Sequence, residues 1–179
     1  DAGDAETVTE GATVTLDGTG STDTESATIT YAWSVSSGTS QTLNSASAAG
    51  PTFTAAQGTA SYTTTLSLTC TASGADGTAS TVVISVTADN DAPTVASVIS
   101  DASTAEDAAY SLNIASNFAD VDDAMTFTIS GAPSTITAST AGVISGTPVN
   151  ANVGAHSIVV TATDAGGSNT VSDTYVLTV

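Results

Sequence analysis

Apolar side chains recur at every second position through most of this chain, and that rhythm restricts its regular structure to β-strands. Ile29, Tyr31, Trp33 and Val35 alternate with Thr28, Thr30, Ala32 and Ser34. Successive strand side chains point to opposite faces, so each such run buries one face and wets the other. The same rhythm marks Val14 and Leu16, then Leu66, Leu68 and Cys70, then Val82, Ile84 and Val86. After residue 93 it restarts at Val95 to Ile99. It continues through Tyr110, Leu112 and Ile114, then Met125, Phe127 and Ile129, then Ile158, Val160 and Ala162, and ends at Tyr175, Leu177 and Val179. Val and Thr fill these runs, as strand preference requires. Turn clusters separate them: Asp17-Gly18-Thr19-Gly20, Ser36-Ser37-Gly38, Gly50-Pro51 and Gly74-Ala75-Asp76-Gly77. Helical spacing with caps is absent, so short strands at this spacing predict an all-β sandwich architecture.

The alternation breaks at the middle of the chain, in Val86-Thr87-Ala88-Asp89-Asn90-Asp91-Ala92-Pro93-Thr94. Two carboxylates and an amide in three residues are followed by a proline, which cannot donate to a strand ladder. The stretch reads as a joint between two domains, residues 1–91 and 92–179. Each is about 90 residues, a size at which a sandwich core forms unaided.

The charge balance narrows the function. The chain holds 18 Asp and Glu, one His, and neither Lys nor Arg, for a net charge of −18. Nucleic acid and anionic lipid are therefore excluded as partners, because nothing would displace their counterions. Membrane insertion is not expected either, as no apolar run approaches the ~18 residues of a spanning helix. A basic-then-apolar leader is missing, so any signal peptide is expected either to have been removed already or to lie outside this sequence. Two carboxylates about 4 Å apart repel by roughly 4 kcal/mol at an effective dielectric near 20. A real acidic cluster here must bind a cation, be screened by salt or hold a proton.

Val8-Thr9-Glu10-Gly11-Ala12-Thr13-Val14-Thr15-Leu16-Asp17-Gly18, then Ser21-Thr22-Asp23, then Tyr31-Ala32-Trp33, resembles the polycystic kidney disease (PKD) type of immunoglobulin-like domain. The resemblance covers about residues 1–90 and departs at Thr71-Ala72-Ser73, where that family carries an aspartate. In the second half, Asn117-Phe118-Ala119-Asp120-Val121-Asp122-Asp123, then Ala141-Gly142-Val143-Ile144-Ser145-Gly146-Thr147-Pro148, then Val160-Thr161-Ala162-Thr163-Asp164-Ala165-Gly166-Gly167, is similar to cadherin-like (dystroglycan-type) domains. Asp89-Asn90-Asp91-Ala92-Pro93 resembles a shortened cadherin linker. Together these imply two tandem immunoglobulin-like β-sandwiches of a prokaryotic cell-surface repeat protein, placed outside the cell.

Calcium is the cofactor these residues suggest, since it takes six to eight oxygens from carboxylates, amides and carbonyls. Asp120 and Asp122 are two apart, so an extended segment would point both the same way. The cadherin resemblance implies that this pair, Asp164 and the linker acids meet at one end of the second domain. The candidate metal ligands are Asp89, Asn90, Asp91, Asp120, Asp122 and Asp164, with Glu106 and Asp107 as further acids, and Asp123 beside them. The alternative is that Asp and Asn here only populate turns.

Catalysis is not expected. His156, the single imidazole, falls on the Ile158/Val160 stripe, and no nucleophile elbow, zinc-type spacing or aspartic dyad occurs. Cys70 excludes an intrachain disulfide and reads as a core thiol. Without lysine, isopeptide staples cannot form. The resulting expectation is a non-catalytic, calcium-stiffened spacer, adhesin stalk or self-assembling filament or surface-layer tile, held by homotypic or tandem-module contacts. The other reading is an accessory domain binding a glycan or receptor, with Tyr62 and Tyr110 as the aromatics expected to be open for sugar stacking.

Overall fold

Strands form where the alternation is cleanest, and they gather around two separate sets of buried residues. The computed structural model describes residues 1–72, 75–166 and 169–179. Ser73 of the Thr71-Ala72-Ser73 stretch, Gly74 of the turn that follows it, and Gly167 of the second-domain motif lie outside those residues. The chain divides into two compact units, Asp1–Asp89 and Asn90–Val179.

In the first unit the strands are β1 (Glu6–Thr9), β2 (Thr13–Thr15), β3 (Ile29–Gly38), β4 (Thr52–Thr54), β5 (Tyr62–Ala72), β6 (Ala75–Asp76) and β7 (Ser80–Thr87). One sheet runs in the order β1-β7-β5-β3, with β6 against β5, and the facing pair is β2-β4. The first strand lies parallel to β7, whereas the others pair antiparallel. Between the layers are Val14, Leu16, Trp33, Phe53, Leu66, Leu68, Val82, Ile84 and Val86, all buried. These are the residues that the alternation assigns inward. Trp33 is held by its indole N–H, which donates to the Ala48 carbonyl at 3.1 Å. Cys70 is only half-buried at the rim of this core, and its thiol meets the Ser21 hydroxyl at 3.3 Å. The reason is its position near the end of β5, where the covering layer stops.

The second unit contains β8 (Thr94–Val95), β9 (Ala102–Ser103), β10 (Tyr110–Asn113), β11 (Phe118–Ala119), β12 (Thr126–Ser130), β13 (Ile136–Ala138), β14 (Val143–Gly146), β15 (Ala155–Thr163) and β16 (Thr170–Thr178). Two single turns of 3-10 helix, Ala115–Asn117 and Asn150–Asn152, link them. One sheet is β12-β15-β16-β9, the other β10-β14-β13, with a short β8-β11 pair beside them. Phe118, Phe127, Ile136, Ile144, Ile158, Val160, Tyr175 and Leu177 are among its buried residues. The Phe118 and Phe127 rings stack tilted, with centroids 5.6 Å apart. Gly146 has φ of +157°, and a β-carbon there would lie 1.9 Å from the Thr135 carbonyl oxygen, so only glycine lets β13 and β14 approach.

Tyr110 is not open for stacking. It is 9% exposed, within the core, and its hydroxyl lies 3.4 Å from that of Tyr175. Its alternation parity points it inward from β10, and Tyr175 supplies the polar partner that a buried phenol needs. Burial first, and then the Tyr110 hydroxyl, push the Tyr175 phenol far above its ordinary range. Tyr62 is half-buried, donating to the Ala56 carbonyl at 2.8 Å and receiving the Gln41 amide at 3.2 Å.

One core position of the first unit carries a cost. Thr64 is fully buried on β5, and its hydroxyl has no hydrogen-bond partner. A desolvated, unpaired hydroxyl destabilises by roughly 1–3 kcal/mol, and valine has nearly the same shape. Thr64→Val should therefore stabilise the chain by about 1 kcal/mol, raising the first unit's melting temperature by roughly 4–8 °C. Calorimetry of the two proteins checks this; an unchanged or lowered transition would show that the hydroxyl is satisfied in solution.

Candidate functional site

The acidic residues of the second unit converge because β8 pairs with β11. Ala119 lies opposite Thr94, so the loop that follows Ala119 meets the segment that precedes Pro93. That loop is Asp120–Asp123. It does not run extended, as spacing alone suggested. The Asp120 carboxylate accepts the Asp122 and Asp123 amides at 3.1 and 2.9 Å and bends the chain into a tight turn. An aspartate that captures amides two and three residues on is a strong turn former.

The turn presents Asp122 to the start of the unit. The Asp91 amide donates to Asp122 Oδ2 at 2.9 Å, and a carboxylate oxygen of Asp91 lies within 4.8 Å of one from Asp122. Asp164 enters from β15, directly after Thr163, and is 2% exposed. The Asn90 side-chain amide donates to Asp164 Oδ2 at 2.8 Å and to the Asp91 carbonyl at 3.0 Å. The other oxygens of these two groups, Asn90 Oδ1 and Asp164 Oδ1, each lie 3.6 Å from where a β-carbon on Gly166 would stand. Asn90, Asp91, Asp120, Asp122 and Asp164 thus share one end of the second unit.

Two atoms there are unsatisfied. Asp120 Oδ2 and Asp122 Oδ1 are buried and have no hydrogen-bond partner. A buried carboxylate oxygen without a donor is expensive, and this chain has no Lys or Arg to send. Carboxylate and amide oxygens are the donor set of a hard cation, so the residues present fit calcium.

The remaining candidates lie elsewhere. Asp89 closes the first unit, and its amide donates to Glu10 Oε1 at 2.6 Å. Glu10 also accepts the Gly58 amide at 2.7 Å. Its role in tying down Asp89 was missed, because within the V-x-E-G motif it reads as framework. Glu106 and Asp107 follow β9, which pairs with Leu177 and Thr178. The Asp107 amide donates to the Pro148 carbonyl at 2.7 Å. Leu177 and Thr178 pair with His156 and Ala155, at the start of β15, whereas Asp164 follows its last residue. At about 3.3 Å per residue the nine-residue strand separates the two positions by roughly 30 Å. Glu106 and Asp107 therefore sit at the opposite end from Asp120, Asp122 and Asp164. His156 is half-buried near that same far end, with Nε2 2.7 Å from the Asn152 carbonyl oxygen.

Comparison with known proteins agrees with both halves of the fold. Residues 2–86 match the family described as "K319L-like, PKD domain", and residues 92–179 match the family described as "Putative Ig domain". Among curated proteins, none matches the chain. Of solved structures, the human desmocollin-1 ectodomain is similar over 96% of this chain and 38% of its own, at 15% identity and a TM-score of 0.50. The Drosophila N-cadherin EC1-4 fragment aligns over 97% of this chain and 47% of its own, at 15% identity and a TM-score of 0.42. An endo-fucoidan hydrolase of glycoside hydrolase family 107 aligns over 99% of this chain but 28% of its own, at 20% identity and a TM-score of 0.40. The chain thus spans less than half the length of each of these three. At 15% identity the likeness to the desmocollin-1 ectodomain is one of fold.

The Asp120 turn makes its own prediction. Asp120→Ala deletes the acceptor of two amides and should destabilise the second unit by about 1–3 kcal/mol in chelator. Asp120→Asn keeps an acceptor oxygen and should cost much less. Thermal unfolding of both variants without divalent ions checks the ordering; equal losses would show that the charge, not the turn, matters.

Proposed function

We propose that this chain, a PKD-type immunoglobulin-like domain followed by a cadherin-like Ig-type domain, is a calcium-stiffened extracellular module. In this reading it acts as a spacer or adhesive element of a prokaryotic cell-surface protein, with homotypic or tandem-module contacts and no chemistry of its own. The pair of buried, partnerless carboxylate oxygens, Asp120 Oδ2 and Asp122 Oδ1, is the observation that carries it.

The argument runs from charge to mechanics. Asp91, Asp120, Asp122 and Asp164 crowd one end of the second unit in a chain without cationic side chains. A divalent ion would turn their mutual repulsion into attraction. Asn90 and Asp91 open the second unit and directly follow Asp89, the last residue of the first. An ion that engages them would pin the segment where one unit passes into the next. The affinity expected for such extracellular sites is on the order of 10⁻⁴–10⁻³ M. The glycan-binding alternative lacks a stacking platform, because every Trp, Tyr and Phe side chain is buried or half-buried.

Calcium at about ten times its dissociation constant should stabilise the chain by roughly 1.4 kcal/mol. That corresponds to about 5–10 °C in the melting of a unit this size. Small-angle scattering with calcium and with chelator should show a narrower spread of dimensions when the ion is present. An identical melting curve and scattering profile in the two conditions would remove the proposal.

Asp122→Asn separates ion binding from turn formation. With calcium absent it relieves repulsion and should raise the melting temperature, because roughly 1 kcal/mol or more of like-charge energy disappears. With calcium present the same variant should melt below the parent. A variant that lowers both temperatures would mean that Asp122 is an ordinary structural residue.

A further inference from the structure

The larger sheet of the first unit ends in two strands that are finished differently. At one end is β3, whose outer side is covered where the Trp33 amide donates to the Ala46 carbonyl at 2.8 Å. At the other end is β1, which has β7 on one side and no strand on the other. The Glu10 amide donates to the Thr87 carbonyl at 3.1 Å, and the Val8 carbonyl accepts the Thr87 hydroxyl at 3.2 Å. Backbone groups alternate in direction along a strand, so the even-numbered residues bond into the sheet and Thr7 and Thr9 turn theirs outward. Both threonines are exposed. The Thr9 carbonyl is taken by the Ala12 amide at 3.2 Å. Among the described residues nothing bonds to the Thr7 amide, the Thr7 carbonyl or the Thr9 amide. This edge is open.

Its charge is one-sided. Asp4 and Glu6 are exposed beside the open groups, and the chain has no Lys or Arg to pair with them. Charge on an edge strand guards it against pairing with a strand of like sign. A second copy of this chain, also at −18 and also without Lys or Arg, is therefore turned away from this edge. A cationic strand meets the opposite condition, since the same carboxylates that exclude a copy attract it.

We infer that β1 is a docking edge for an extended, lysine- or arginine-bearing segment of another protein, which adds to the sheet as a further strand. Charge complementarity selects the partner, and the row of open backbone groups selects its extended form. The Thr7 amide and carbonyl and the Thr9 amide would bond to its backbone, the contacts that supply affinity in strand addition. A basic side chain opposite Glu6 makes a cross-strand pair of opposite charge, which is favourable. The edge lies wholly in the first unit, so the inference does not depend on calcium in the second.

Binding of a synthetic peptide of alternating Lys and Thr to the full chain, measured by calorimetry without divalent ions, tests it. A peptide of the same sequence with alternate backbone nitrogens methylated has equal charge but cannot form a ladder. The unmodified peptide should bind at least about tenfold tighter than the methylated one, and its binding should weaken as salt is added. Glu6→Gln should weaken it by roughly twofold to fivefold. Glu25→Gln removes the same charge from an exposed position before β3, at the other end of the sheet, and should leave it unchanged. Thr7→Pro removes an outward amide that the sheet does not use, a substitution that edge strands tolerate. It should abolish the advantage of the unmodified peptide while the melting temperature stays near the parent value. If that variant does not fold, the two peptides compared on the parent chain still decide the matter. Equal affinity for the two peptides, equal weakening by Glu6→Gln and Glu25→Gln, or no binding at low salt would overturn the inference.

Discussion

No carboxylate in this chain has a lysine or arginine to turn to, and the structure is arranged around that shortage. Several of the acids solve it with backbone amides. Asp17 takes the Thr19 hydroxyl at 2.6 Å and the Thr19 amide at 2.8 Å, and the two hold its carboxyl below the usual range. Asp23 accepts the Glu25 and Ala27 amides, Glu10 those of Gly58 and Asp89, and Asp173 those of Ile99 and Thr174. Hydrogen bonds to an ionised acceptor are about twice as strong as neutral ones, so each amide partly replaces an ion pair. Against this background Asp120 and Asp122 stand out. Each uses one oxygen in the same way and buries the other with nothing to receive.

The strands show the complementary half of the design. Their outward positions are filled by hydroxyls instead of charges. On β5, Thr65, Ser67 and Thr69 alternate with buried Leu66 and Leu68. On β15 and β16, Thr161 and Ser172 face each other at 2.9 Å between hydroxyls. Thr is a strong strand former and remains soluble without carrying charge. The acids are consequently left to loops and strand ends, where their amide partners are available. The lone interior exception, Asp173 on β16, is tied to Ile99 at 2.6 Å.

Alternation made the layers readable because a core position depends only on parity. Leu66, Leu68, Ile84, Val160 and Leu177 are all inward by count and buried in fact. Depth was less legible than direction. Cys70 has the right parity but sits where its cover ends, and Tyr110 has the same parity and lies deep because Tyr175 faces it. At the candidate site the residue types were legible and the path was not. The Asp120–Asp123 run alternates like a strand, yet Asp120 folds it by capturing the Asp122 and Asp123 amides, a competition that spacing does not display. The approach of Asn90 to Asp164 joins residues 74 positions apart and follows from the β8–β11 pairing. That pairing is two residues long, too short to leave a pattern. Glu106 and Asp107 illustrate the converse: composition grouped them with the other acids, while the connectivity of β9 carried them to the far end.

The same shortage of cations links the site to the strand edges. Lysine is the most common guard of an exposed strand edge, since its long stem tolerates the surface and its charge prevents pairing. A chain without lysine must guard its edges with acids or leave them neutral. Acids are costly next to one another when nothing offsets them. The second unit places its acids along one margin and at its ends, and leaves the β12–β13 side neutral. Gathering like charges in this way raises their mutual repulsion, which salt screens, and a cation held by Asp120, Asp122 and their neighbours would reduce it further.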